Sequence, residues 1–111
     1  MLDPISDRMS HYLDLLAERQ KLVSTNIANA DTPGFHTKDI DFNFEFQSLM
    51  SGQPPGVIEP EGLSMKNDGN NVNIDREMRL LSENAMRFNF VSQLIRGEAH
   101  DIRLAIRDAR G

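Results

Sequence analysis

An apolar heptad repeat runs through the C-terminal third of the chain and limits its fold more than any other feature. From Ile74 onward, steps of four and three residues reach an apolar side chain everywhere except at Ser92. The register comprises Ile74, Met78, Leu81, Ala85, Phe88, Ser92, Ile95, Ala99, Ile102, Ile106 and Ala109. About five heptads predict one helix of roughly 35 residues and about 50 Å, capped by Asn73 or Asp75. Such a helix is far longer than a compact chain of 111 residues needs.

A second apolar line lies on another face of the same predicted helix and consists of Met86, Phe90 and Leu94. A single partner helix covers one face only, so these residues indicate more than one neighbour. We therefore expect a further neighbour in addition to the partner helix of the same chain. The residues expected to pack between subunits are Met9, Tyr12, Leu16, Val23, Ile27, Leu81, Phe88, Phe90, Leu94, Ile95, Ile102 and Ile106.

The N-terminal segment predicts the other helix. Asp3 is its candidate cap and Pro4 suits the first helical position, where a missing N–H costs nothing. The apolar stripe consists of Ile5, Met9, Tyr12, Leu16, Val23 and Ala30, widened by Leu13 and Ile27. Pro33 disfavours the helical conformation for Thr32, and Pro33-Gly34 suits the centre of a type II turn. The helix should therefore end before this turn.

Two polar residues, Arg19 and Asn26, interrupt the apolar stripe of the first helix. Polar groups at such positions can fix the register and the choice of partner in paired helices. Alternatively, Asn26 and Asn29 could cap the carbonyl groups at the end of the helix. The sequence does not decide between these roles.

The segment between the helices has a different composition, with all but one of the five prolines and most of the excess acidic charge. Residues 40–46 alternate between apolar and polar side chains, which predicts a half-buried strand. Residues 51–73 predict turns and extended chain. The expected architecture is therefore mainly α: helices within residues 1–30 and 74–111 form an antiparallel coiled-coil-like hairpin around an extended insert, residues 31–73.

Composition excludes several classes of function. A net charge of −5 disfavours nucleic acid as a partner, and the absence of cysteine removes disulfides and thiolate sites. The three histidines lack metal-ligand spacing, and residues 64–75 lack key carboxylates of a calcium loop, so a tight turn is expected there. Asp39 and Asp41 are expected to be solvated charges. We find no motif for catalysis, a cofactor or a small-molecule substrate.

Targeting signals are equally sparse. No stretch reaches the roughly 18 apolar residues that a membrane span requires. The first ten residues carry Asp3 and Asp7 where a secretory signal peptide has basic residues. Any exit from the cytoplasm is therefore expected to use a route without a cleaved signal peptide.

The end of the first predicted helix resembles the signature of flagellar basal-body rod and hook proteins. The matching residues are Asn26, Ile27, Ala28, Asn29, Ala30, Asp31, Thr32, Pro33, Gly34 and Phe35. Two further segments, residues 38–42 and 67–78, resemble the proximal rod members of that family. Residues 47–65 match least well, because the chain is shorter there than in other members.

The resemblance implies a structural role in an axial assembly. Members pair their terminal helices with those of neighbours in a rod that crosses the periplasm and transmits torque. It also implies contacts with other rod subunits, a membrane-ring protein and a basal-body adaptor protein. Members leave through the flagellar type III export gate, which reads a Phe-x-x-x-apolar element. Phe42 with Phe46 and Phe46 with Met50 both fit that element.

A second class of function fits the same helices. A cytoplasmic helical adaptor or export chaperone would use an apolar stripe to hold a partner helix. Heptads alone fit both classes, whereas the signature at Asn26–Phe35 and the alternating phenylalanines favour a rod subunit.

Overall fold

Two long helices, packed antiparallel, form most of the molecule. The computed structural model describes the backbone of residues 4–48 and 54–110, and the side chains of residues 4–48, 54–97 and 107. Along the chain the elements are α1 (Pro4–Ala28), β1 (Asp39–Ile40), α2 (Phe42–Ser48), β2 (Val57–Ile58) and α3 (Ile74–Arg110). The principal extents are 70 × 24 × 18 Å. The mainly helical hairpin with an insert between its helices is confirmed.

The starts of the two long helices agree with the sequence signals. Helix α1 begins at Pro4, the predicted first helical position, while Asp3 lies outside the described residues. Helix α3 begins at Ile74, and the side chain of Asn73 accepts a hydrogen bond from the Arg76 amide at 3.1 Å. Asn73, rather than Asp75, is therefore the cap of α3.

The predicted type II turn ends the first helical region. The Phe35 amide donates to the Thr32 carbonyl at 3.2 Å, and Gly34 has a φ of 75°. A positive φ at the third residue of a turn is typical of type II and requires glycine or asparagine. The chain thus reverses directly after α1 and returns along its side.

The strand predicted over residues 40–46 is wrong beyond Ile40. Only Asp39–Ile40 is a strand, pairing antiparallel with Val57–Ile58, and Phe42–Ser48 is the short helix α2. The Asp41 side chain accepts a hydrogen bond from the Phe44 amide at 3.2 Å, so Asp41 caps this helix. Alternation did not distinguish the two structures because Phe42 and Phe46 are also one helical turn apart.

The apolar core is small and lies between α1 and the segments of the insert that pack against it. Its buried side chains, among those described, are Leu15, Leu16, Val23, Ala30, Ile40 and Val72. None of the described helices combines the length and apolar content of a membrane-spanning segment.

The heptad repeat predicts only part of the face that α3 turns toward α1. Leu81 and Ile95 are half-buried, whereas Ile74 and Met78 are exposed. Among the described side chains of α3, the buried ones are instead Glu77 and Asn84, two turns apart. Both bond to polar side chains of α1. Because these polar residues of α3 face α1, some of the apolar heptad residues face solvent.

Candidate functional site

Asn26 lies at the centre of a buried polar junction, which we define as Arg19, Asn26, Asp39, Arg76 and Glu77. The Asn26 side chain is fully buried and donates to the Lys38 carbonyl at 2.8 Å and to Glu77 Oε1 at 2.7 Å. Its Oδ1 atom accepts from the Lys38 amide at 3.0 Å. Asn26 therefore joins α1 to both the insert and α3, as a polar residue between paired helices would, and its partners here are not carbonyls at the end of α1.

Asn29 has the other role considered for these asparagines. Its side chain donates to the Thr25 carbonyl at 2.9 Å, at the end of α1. Its Oδ1 atom accepts from the Thr32 hydroxyl at 3.0 Å. The Thr25 carbonyl also accepts the Asn29 backbone amide at 3.0 Å, so the side chain adds a second bond to the last helical turn and holds the following turn against it.

Asp39 bridges the two long helices. Arg19 donates to its two carboxylate oxygens at 3.0 and 2.9 Å, and Arg76 Nη2 donates to Oδ2 at 2.7 Å. Arg76 Nη1 also donates to Glu77 Oε2 at 2.6 Å. Asp39 was expected to be solvated, and that expectation is wrong because two guanidinium groups compensate its burial. Asp41, two residues later, is exposed as expected.

The junction shifts the pKa values of Asp39 and Arg76 away from their ordinary values. Burial raises the pKa of Asp39, but hydrogen bonds from Arg19, from the Ile40 amide and from Arg76 outweigh it, so the pKa lies below the usual 3.8. For Arg76, burial lowers the pKa while Glu77 and Asp39 raise it above its ordinary value. The ionised form of both groups is therefore favoured in the folded chain.

This shift gives an expected pH dependence of stability. The pKa of Asp39 is lower in the folded chain than in the unfolded chain. As pH falls, the Asp39 carboxylate is therefore protonated first in the unfolded chain, and the free energy of unfolding decreases. The contribution is complete above the ordinary value of 3.8 and is lost as pH falls through the lower folded pKa. Urea midpoints measured from pH 6 to pH 2 should fall less steeply in Asp39→Asn than in Asp41→Asn. Equal slopes would contradict a stabilising role for ionised Asp39.

The signature segment docks onto residues 67–73. The side-chain amide of Asn70, fully buried, donates to the carbonyls of Asn29 at 2.9 Å and Thr32 at 2.8 Å. The Gly34 amide donates to the Asp68 carbonyl at 2.9 Å. The signature and residues 67–73, two of the segments that carry the family resemblance, therefore form one packed unit, although more than 30 positions lie between them in the sequence.

Two glycines permit this close docking. Gly34 and Gly69 have φ values of 75° and 83°. A Cβ atom on Gly69 would lie 3.4 Å from the Gly34 Cα atom. The Gly69 amide also donates to the Lys66 carbonyl at 3.0 Å, which confirms the tight turn expected before the last helix. A side chain at either position would strain the backbone.

An aromatic cluster attaches α2 to α1. Tyr12 makes edge-to-face contacts with Phe42 and Phe46, with ring centroids 5.2 and 5.5 Å apart. His11 stacks on Phe46 and its Nε2 atom lies 3.1 Å from the Glu45 carbonyl oxygen. The export element predicted at Phe42 and Phe46 is thus half-buried in the folded chain, whereas Met50 lies outside the described residues.

The residues expected to pack between subunits occupy three different environments. Leu16 and Val23 are 1% exposed and belong to the core of the chain itself. Met9, Tyr12, Ile27, Leu81 and Ile95 are half-buried, and Phe88, Phe90 and Leu94 are exposed. The side chains of Ile102 and Ile106 lie outside the described residues. A surface for a second subunit therefore has to be sought among the half-buried and exposed members.

The second apolar line forms a continuous exposed face on α3. Met86, Phe90 and Leu94 are 68%, 62% and 47% exposed, and each is one helical turn from the next. Asn84, on a different side of the helix, donates to Gln20 of α1 at 3.3 Å. The line thus faces away from the hairpin partner, and we call it the outer apolar face.

Known proteins similar to this chain agree with the motif. A family model described as "Flagella basal body rod protein" matches residues 13–36, which include the end of α1 and the turn after it. Flagellar basal body rod protein FlgB of Yersinia ruckeri is 33% identical, with 78% of this chain and 81% of the relative covered. The FlgB proteins of Yersinia enterocolitica and Escherichia coli K12 are 34% and 30% identical. These two alignments cover 68% and 78% of this chain, and 74% and 80% of the respective relative.

The chain belongs to the FlgB family of flagellar basal body rod proteins. The similarity extends over most of the chain, as the resemblance at both ends indicated. The structure adds a physical reason why both of these segments carry the resemblance, because the signature and residues 67–73 bind each other through Asn70 and Gly34.

Sequence reasoning missed the structural roles of Asn70, Arg76 and Glu77. Asn70 lies in an Asn-rich turn whose composition gives no sign of burial. Glu77 falls between the heptad positions Ile74 and Met78, where a charged residue normally faces solvent. The available signal was the pair of polar residues in the first helix, since a buried Asn26 requires a polar partner.

Proposed function

We propose that this chain is a non-enzymatic structural subunit of the flagellar basal-body proximal rod and assembles by packing its outer apolar face against neighbouring axial subunits. The observation that carries the proposal is the exposure of Met86, Phe90 and Leu94 on the side of α3 that faces away from α1. Full burial of a side chain of this type contributes about 1.5–3 kcal/mol. Three such residues in one line therefore supply a driving force for assembly.

The proposed role includes transmission of torque. The molecule is 70 Å long, and its two long helices are tied by the polar junction as well as by apolar contacts. Charge-assisted hydrogen bonds are directional, so they resist sliding of one helix along the other more than apolar contacts do. This property suits a subunit that bears load. Its proposed neighbours are other rod subunits in the periplasm, the membrane-ring protein and the basal-body adaptor protein.

We further propose export through the flagellar type III gate without a cleaved signal peptide. The candidate signals are Phe42 with Phe46 and Phe46 with Met50. Their phenylalanines are half-buried against Tyr12 in the folded chain, so the gate would read them before α2 docks on α1.

Deletion of residues 42–50 is expected to retain the protein in the cytoplasm, because both Phe elements are lost while the long helices remain. Immunoblots of cytoplasmic and periplasmic fractions measure the effect. A deletion of residues 51–56, which leaves both elements intact, is the control. Normal secretion after the first deletion would show that neither element is the export signal, and the phenylalanines would then serve packing alone.

Recovery of the chain with purified basal bodies tests the rod assignment itself. A tagged chain should replace the untagged one, restore swimming and co-purify with the rod. Its presence only in a soluble cytoplasmic complex would favour the helical adaptor or export chaperone and would contradict the rod assignment.

A further inference from the structure

Residues Lys38 and Asp39 lie where the insert meets both long helices. On α1, Asn26 binds the backbone of Lys38 through its amide and its carbonyl, and Arg19 binds the Asp39 carboxylate through two nitrogens. On α3, Arg76 binds the same carboxylate. The insert is therefore part of the contact between the helices and does not merely connect them.

The charges of the junction depend on this arrangement. Arg19 and Arg76 share one carboxylate, and their side chains are only 18% and 21% exposed. Without Asp39, Arg76 would keep Glu77, but Arg19 would lose its ion pair and the two partly buried guanidinium groups would face each other. Charges of the same sign in a partly desolvated site oppose closure. Closing the hairpin without Asp39 in place therefore carries an electrostatic free-energy penalty. Docking of the insert removes this penalty, because it places the Asp39 carboxylate between the two guanidinium groups.

We infer that Asp39 is a clasp that couples docking of the described parts of the insert, residues 31–48 and 54–73, to closure of the α1–α3 hairpin, so that each favours the other. Pairing of the helices in this register is then favoured when the signature turn and residues 67–73 are also in place. The clasp concerns the folded chain alone, so its test uses purified protein and requires no other rod component.

The absence of cysteine makes the coupling measurable. Gln20 and Asn84 face each other across the two helices, with Oε1 and Nδ2 3.3 Å apart. The double substitution Gln20→Cys and Asn84→Cys, joined by a short bis-maleimide, holds the hairpin closed. Hydrogen exchange is then read at the amides of Gly34, Thr37 and Asn71, which bond within the insert and not to Asp39.

Linkage requires that holding the hairpin closed also stabilises the insert. In the chain with Asp39, cross-linking should slow exchange at the three amides by about tenfold, within the range typical of coupled sites. In the Asp39→Asn chain the slowing should be smaller, about threefold, because Asn26 still bonds to Lys38 and to Glu77. The cross-link holds the helices together in both chains, so general loss of stability does not explain a difference between them.

Asp41→Asn is the matched control, because Asp41 is an exposed carboxylate two residues away that bonds only within the start of α2. It should show the full slowing. Equal slowing in the Asp39→Asn chain would overturn the clasp, as would an absence of slowing in the chain that retains Asp39.

Discussion

Replacing Phe90 by Asp is expected to leave export intact and to abolish rod assembly. Phe90 is 62% exposed in the isolated chain, so the change has little effect on the fold. In the rod, the new carboxylate would be buried without a partner at a cost of several kcal/mol at every subunit contact. Swimming on soft agar and electron microscopy of purified basal bodies measure the loss.

Asn89→Asp is the control for this experiment. Asn89 is the preceding exposed residue, about 100° away around the helix, and the substitution adds the same charge outside the outer apolar face. It should preserve swimming. Normal rods in the Phe90→Asp strain would show that the outer apolar face contacts no other subunit.

The substitution Asn26→Ala is expected to lower the free energy of unfolding by about 3–5 kcal/mol, a large share of the roughly 5–15 kcal/mol typical of a folded domain. It removes the partner of a buried Glu77 oxygen and of both backbone groups of Lys38. Buried polar groups that lose their partners incur their full cost of desolvation. Urea unfolding followed by circular dichroism measures the change.

Asn29→Ala provides the comparison within the same signature. Asn29 bonds to the Thr25 carbonyl and the Thr32 hydroxyl, both in exposed contacts that water can replace. We expect a loss of about 0.5–1 kcal/mol. A loss from Asn26→Ala as small as this one would mean that the polar junction does not stabilise the hairpin.

The helices and the turn of this fold could be predicted because their signals are local. Pro4 sets the start of α1, Pro33-Gly34 sets the reversal after it, and a heptad repeat that is apolar except at Ser92 indicates the length of α3. Each signal acts through the backbone of nearby residues, so it needs no knowledge of the partner.

Two features could not be predicted from local signals because they depend on residues distant in the sequence. These features are the helix at residues 42–48 and the face of α3 that packs against α1. Phe42 and Phe46 lie on one side of a short helix because Tyr12 packs against both. A run of seven residues fits either period when its apolar positions are two and four apart. Glu77 is buried because Asn26 and Arg76 bind it, and Asn26 is more than 50 positions earlier in the sequence.

The shape of the hairpin affects how its solution behaviour is interpreted. The radius of gyration is 18.3 Å, whereas a compact chain of this length has about 13 Å. A compact protein with the observed radius would contain roughly 260 residues. In gel filtration the monomer should therefore elute near the volume of a globular protein about twice its mass. Sedimentation equilibrium, which measures mass independently of shape, separates this elongated monomer from a true dimer.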